Sequence, residues 1–345
     1  MRFLASWPKW TACAALASSL AYLGLGIFWT AGGGGFPFGA TADAPETLLK
    51  AATGPTAGPW IAAVGLVGAA AAMAMICRIR SLRWPVIGCG LLLALTLTLV
   101  LPEDRAIKYL PPLGLFAFLR PPDWPTVHHL ILILVGFLWL AATVAYWRAM
   151  RNACESCGRT GDSRWERWWL RWGRVITYVA IASPWVYASE RLAWAAGIPL
   201  GVTPEFLRHI NAANPGNGTT IMELVLAGFA ISGSVLTAGL IRPWGVNFFG
   251  WRVPRAFPIV FGGLVSVSLT AFGVALLREV PAFFAGGMMF YGFQTNVLFE
   301  LPALSLPVWG IALGGAVYAY HIRTRPQCRR ACVAASEESP HPVSL

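Results

Sequence analysis

Residues 84–101 read WPVIGCGLLLALTLTLVL, an unbroken apolar run without one charged side chain. About 20 apolar residues in a helix cover the roughly 30 Å of bilayer hydrocarbon, so this stretch has the length and polarity of a membrane span. Working outward, seven further segments share its character: 11–31, 57–77, 127–147, 174–197, 220–241, 256–277 and 302–321. Eight spans predict an all-α polytopic helix bundle. Composition agrees, because 57% of the 345 residues are hydrophobic and only 12% are charged, with a mean hydropathy of +0.60. Soluble domains carry about 25% charged residues, and the few charges here cannot coat a water-facing surface. The same figures exclude a disordered chain, and seven cysteines are too few for a disulfide-stapled scaffold.

The spans differ in strength. Segment 174–197 holds Pro184, Glu190 and Arg191, so it must shelter its charges against other protein. Two shorter apolar stretches, Ile107–Leu119 and Val280–Val297, are interrupted by Pro111-Pro112 and Gly286-Gly287, which suits interfacial or re-entrant segments better than crossings. Arg2 and Lys9 precede the first apolar run as in a signal peptide. That run is long for a signal core and lacks a nearby small-x-small cleavage site, so it is read as a retained helix.

Arginine sets the expected topology. With eight spans, the N-terminus, loops 78–83, 148–173 and 242–255, and the tail after Tyr320 share one side, which with Arg174 at the inner end of its span collects 19 of the 26 basic residues. Positive-inside bias then places both termini in the cytoplasm of a plasma-membrane protein. The net charge of +11 is met by anionic lipid headgroups, and no nucleic-acid partner is expected. Only three of the basic residues are Lys, which with abundant Ala and Gly suits a GC-rich bacterial genome.

The chain also repeats itself. Tyr22-Leu-Gly-Leu-Gly-Ile-Phe-Trp29-Thr-Ala-Gly32 aligns with Tyr187-Ala-Ser-Glu-Arg-Leu-Ala-Trp194-Ala-Ala-Gly197, and Phe36-Pro-Phe-Gly39 with Ile198-Pro-Leu-Gly201. Arg83-Trp84-Pro85 before the third span corresponds to Arg252-Val253-Pro254 before the seventh. Two four-span repeats, 1–150 and 174–322, inserted with the same orientation, predict a parallel pseudo-two-fold along the membrane normal. Residues 151–173 then form a cytoplasmic Arg/Trp/Cys linker and 323–345 a disordered cytoplasmic tail. The linker sequence Arg164-Trp-Glu-Arg-Trp-Trp-Leu-Arg-Trp172 suits a helix at headgroup level, with indoles in the interface and guanidinium groups toward lipid phosphates.

Ionisable groups at membrane depth are the first places to look for function. Glu190 and Arg191 lie one turn before Trp194, where the first repeat has Leu25 and Gly26. Topology brings Glu223, Arg278 and Glu300 to the same outer depth. Together they either line an outward-facing polar cavity for a cation, a proton or a solute headgroup, or pair off to fix helix register. His128-His129, after Asp123, opens span four; adjacent residues on a helix diverge by about 100°, and imidazoles at the interface without a ligand are expected. No Walker motif, G-x-S-x-G elbow or H-E-x-x-H occurs.

Four cysteines are paired in sequence: Cys154-Glu-Ser-Cys157 in the linker and Cys328-Arg-Arg-Ala-Cys332 in the tail. Two such pairs are what a four-thiolate structural zinc needs, and Arg159, Arg329 and Arg330 favour thiolates there. The alternatives are a reversible disulfide or four ordinary reduced thiols.

The doubled Tyr-x6-Trp-x-Ala-Gly element and the Cys-x2-Cys-Gly-Arg linker resemble uncharacterised polytopic membrane proteins of high-GC Gram-positive bacteria. That resemblance implies the eight-span layout and the plasma-membrane address, and brings no catalytic residue with it. Three functions stay open. They are a transport-type or solute-binding protein, a membrane-embedded enzyme acting on a lipid-linked substrate, and a structural or signalling component docking a partner on its cytoplasmic Cys/Arg face.

Overall fold

The computed structural model describes residues 7–39, 49, 51–107, 109–110, 121–153, 158, 164–248, 250–290 and 292–325. They are almost entirely helical: α1 (Trp7–Thr30), α2 (Gly54–Ile76), α3 (Arg83–Leu95) with a π turn at Thr96–Val100, a single turn α4 (Asp104–Ile107) and α5 (Trp124–Met150). Then follow α6 (Arg164–Ala182), α7 (Pro184–Ala195), α8 (Pro204–Ala213), α9 (Gly218–Gly239), α10 (Ala256–Ala285) and α11 (Val297–Thr324). Among the described residues, seven helices are long and apolar enough to cross a membrane. Large apolar side chains face outward along them, Trp60 at 76% exposure, Leu134 at 67% and Ile311 at 66%. Water would penalise such a surface and lipid does not. The chain is an all-α, multi-pass membrane protein.

Segment 174–197 departs from expectation. It is not one continuous helix but the end of α6 and the whole of α7, parted at Ser183-Pro184. Proline has no N–H to give the carbonyl four residues back, and the Ser234 hydroxyl of α9 donates to the neighbouring Ile181 carbonyl at 2.7 Å. The Arg/Trp stretch is no separate interfacial segment either. α6 begins at Arg164 and runs through it without a break, and the Trp165 indole N–H donates to the Tyr318 hydroxyl of α11 at 3.2 Å. Val280–Val297, expected as an interfacial or re-entrant segment, is in two parts. Its first residues prolong α10, and the rest is a hairpin of β3 (Met289–Phe290) on β4 (Phe293–Gln294), with Gly287 and Gly292 in the left-handed region. A smaller hairpin, β1 (Asn247–Phe248) on β2 (Trp251–Arg252), precedes α10. Most of Ile107–Leu119, and the tail after Arg325, lie outside the described residues.

The chain divides into two compact units, one holding α1–α3 and α5 and the other α6–α11. In the first, α1 packs chiefly on α2, α3 on α5, and α1 also on α5. In the second, the α6–α7 pair packs on α9, α10 on α11, and α6–α7 also on α11. Counting α6–α7 as one span, both units join their first span to their second, third to fourth, and first to fourth.

Small residues allow this packing, as they do wherever helices associate without a hydrophobic drive. Along α1–α2, a Cβ at Gly65 would stand 2.6 Å from the Leu23 nitrogen and one at Gly58 2.7 Å from the Gly26 oxygen. Along α10–α11, a Cβ at Gly310 would stand 2.6 Å from the Thr270 nitrogen. The π turn of α3 meets α5 at Gly136, where a Cβ would lie 2.5 Å from the Thr98 methyl.

Each unit has an aromatic plug at one end. Trp29, Phe38 and Leu132 form one cluster, and Trp194, Val202, Phe206 and Leu207 the other. The two tryptophans end their helices on the same cap. Gly32 N–H donates to the Trp29 carbonyl at 3.0 Å and Gly33 N–H to Phe28 at 3.0 Å. Gly197 N–H donates to Trp194 at 3.0 Å and Ile198 N–H to Ala193 at 2.8 Å. Both are Schellman caps with a left-handed glycine, at φ 86° and 76°.

Candidate functional site

α7 packs on α9 and carries Glu190 and Arg191 to that contact. Arg191 is the hub of the group. Its Nη1 lies 3.2 Å from Glu223 Oε2 and its Nη2 3.4 Å from Glu190 Oε2. Its guanidinium also sits over the rings of Tyr187 and Trp194, 4.8 and 4.6 Å from their centroids. Tyr187, Arg191 and Trp194 fall on one face of α7 by their four- and three-residue spacing, so the cation is sandwiched by its own helix. Trp194 is held in turn by its indole N–H, which donates to the Leu200 carbonyl at 2.9 Å.

Burial makes the charge count matter. Glu190 is 3% exposed, Glu223 1% and Glu300 9%, and Glu300 lies within electrostatic reach of Glu190. One guanidinium faces two carboxylates, so it balances only one of them. Glu190 Oε1 and Arg191 Nε have no hydrogen-bond partner within the protein and are shielded from solvent. Buried charge that is neither paired nor solvated is costly. A proton on the Glu190–Glu223 pair removes the surplus charge.

Of the residues expected here, Glu190, Arg191, Glu223 and Trp194 come together, and Glu300 stands close by. Arg278 is half-exposed near the end of α10, while the ion pairs and ring contacts of the cluster centre on Arg191. Tyr187 also belongs to the site, although sequence reasoning passes it over; its four-residue spacing from Arg191 is the usable signal. Cys154, Cys157, Cys328 and Cys332 lie outside the described residues. Among the described residues no group of three or more His, Cys, Asp or Glu side chains could hold a metal ion.

The other unit holds a second polar cluster at its aromatic plug. His128 and His129 are both buried, at 3% and 0% exposure. The Tyr22 hydroxyl and His128 Nε2 are 3.2 Å apart, and the rings of Trp29, Phe38 and Trp124 close around His128 at 5.4 to 5.9 Å. His129 Nε2 faces Glu103 Oε1 at 3.8 Å. Asp123 caps α5 by accepting from the Thr126 N–H at 3.0 Å. Beside this cluster lies a cavity of about 220 Å³, lined by Ser18, Ser19, Tyr22, Thr96, Leu132 and Trp139 among others. Trp29 meets His128 edge-on, and in the other unit Trp194 stacks on Phe299.

Compared with protein families, curated proteins and solved structures, the chain matches none of them.

Proposed function

We propose that this chain is a transport-type plasma-membrane protein of eight spans, built from two parallel four-span repeats, whose second repeat takes up a proton at Glu190, beside Arg191 and Glu223. The composite of α6 and α7 supplies the eighth crossing: residues 174–197 at 1.5 Å per residue span about 36 Å, enough for the hydrocarbon. The repeated contact pattern, the matched Trp-Gly caps and the equivalent aromatic plugs support duplication. Arginine sorting supports cytoplasmic termini, and the resemblance to membrane proteins of high-GC Gram-positive bacteria fits that address.

One observation carries the functional reading, namely a single half-buried guanidinium shared by two buried carboxylates. Ionisable groups at this depth mark ion and proton paths, and a site with one negative charge to spare takes up a proton at little cost. The first repeat has Leu25 and Gly26 where the second has Glu190 and Arg191, so this charged pair belongs to one half alone.

Difference infrared spectroscopy of the full chain in lipid, recorded between acid and alkaline buffer, tests this. A protonated carboxyl band that titrates, and that Glu190→Gln or Glu223→Gln removes or shifts, is expected. A band absent throughout, or unchanged in both variants, overturns the proton site.

A further inference from the structure

A second cavity lies at the opposite end of the same unit from Trp194. It encloses about 420 Å³ between α9, the turn Pro243–Gly245, α10 and α11, within the size range of small-ligand sites. Leu236, Leu240, Trp244, Phe257, Phe261 and Val317 are among its walls. Thr237 is the one hydroxyl there, and it already donates to the Gly233 carbonyl at 2.7 Å. The walls therefore favour hydrocarbon.

The rim is of opposite character. Arg242 lies between the wall residues Leu240 and Trp244, Arg252 adjoins Val253, and Arg255 stands two residues before Phe257. Arg323 of α11 donates to the carbonyl of the wall residue Leu240, and Arg174 of α6 lies within electrostatic reach of Arg323. Among the described residues, none of Arg174, Arg242, Arg252 or Arg323 meets a carboxylate. Arginines next to the wall residues and without an acid partner favour an anion at the rim, and basic pockets between spans are known lipid-headgroup sites.

We propose that this cleft is a binding site for one anionic phospholipid, its acyl chain in the apolar cavity and its phosphate among Arg242, Arg252 and Arg323. Hydrocarbon walls and a cationic rim together specify an amphiphile with a negative head. A free anion would use only the rim, and a zwitterionic lipid would gain nothing from the surplus positive charge.

The test uses the full chain purified in detergent and delipidated, with phosphatidylglycerol and phosphatidylcholine of matched chains as probes, read by native mass spectrometry. One equivalent of phosphatidylglycerol is expected to bind in preference to phosphatidylcholine. Arg242 and Arg252 are exposed, so the Arg242→Gln/Arg252→Gln variant keeps its fold and should weaken phosphatidylglycerol about 30-fold, leaving phosphatidylcholine unchanged. Leu236 is an exposed wall residue, and Leu236→Trp should reduce binding of both lipids by filling the cavity. Equal binding of the two lipids, displacement by inorganic phosphate alone, or full binding by the Leu236→Trp variant would each overturn the proposal.

Discussion

Arg191 of α7 reaches Glu223 of α9 at 3.2 Å, and both side chains are nearly closed to solvent, at 19% and 2% exposure. The pair ties the span broken by Pro184 to its neighbour at the depth where the neighbouring carboxylates gather. It does two jobs at once, fastening α7 and holding a carboxylate surplus in place.

Removing the cation should therefore cost more than removing an acid. Arg191→Leu leaves Glu190 and Glu223 buried without a counter-charge, and a loss of about 3–5 kcal/mol is expected. Glu190→Gln/Glu223→Gln added to Arg191→Leu should restore much of it. Thermal unfolding in detergent measures both, and a triple variant no better than Arg191→Leu would contradict the charge account.

Ser234 supports the backbone beside Pro184 through Ile181 and also accepts from the Trp185 indole at 3.2 Å. Ser234→Ala should cost about 1 kcal/mol. In the Pro184→Ala background, where α6 and α7 can fuse into one helix, the same change should cost less. A double-mutant cycle reads the difference directly.

The two caps offer a matched pair of substitutions. Gly32 and Gly197 both have positive φ and open space on the side a methyl would occupy, with nothing within 4 Å of that position. Gly32→Ala and Gly197→Ala should each destabilise by about 1–2 kcal/mol through backbone conformation alone. Unequal costs, one near zero, would argue that the caps are not equivalent.

Helix seams can be probed the same way. Gly65→Ala forces a methyl against the α1 backbone and should cost about 1–3 kcal/mol. Gly24→Ala on the exposed side of α1 meets nothing within 4 Å, and should be neutral or gain about 0.5–1 kcal/mol from helix propensity. Folded yield and melting temperature separate the two.

Much of this architecture is legible in the chain because lipid imposes a one-dimensional rule, and apolar length alone marks α1, α2, α3, α5, α9, α10 and α11. The break at Ser183-Pro184 is also signalled, by proline and by the two charges after it. What stays hidden depends on side-chain reach across helices. Glu103 follows Pro102 and reads as an ordinary loop acid, yet it faces His129. His128 and His129 read as interfacial because their depth is shallow, but Phe38 and Trp124 fold over them. Depth arithmetic is enough to group Glu190 with Glu223, whereas Arg278 shares that depth without joining the ion pairs of Arg191. The start of α6 is hidden for a different reason: Arg and Trp suit both a headgroup-level segment and the first turns of a span.

Because main chain meets main chain along Gly26, Gly58 and Gly65, α1 and α2 have no deformable layer of side chains between them. Close-packed seams of that kind transmit strain, and the π turn at Thr96–Val100 in the same unit is wound more loosely than the helix before it.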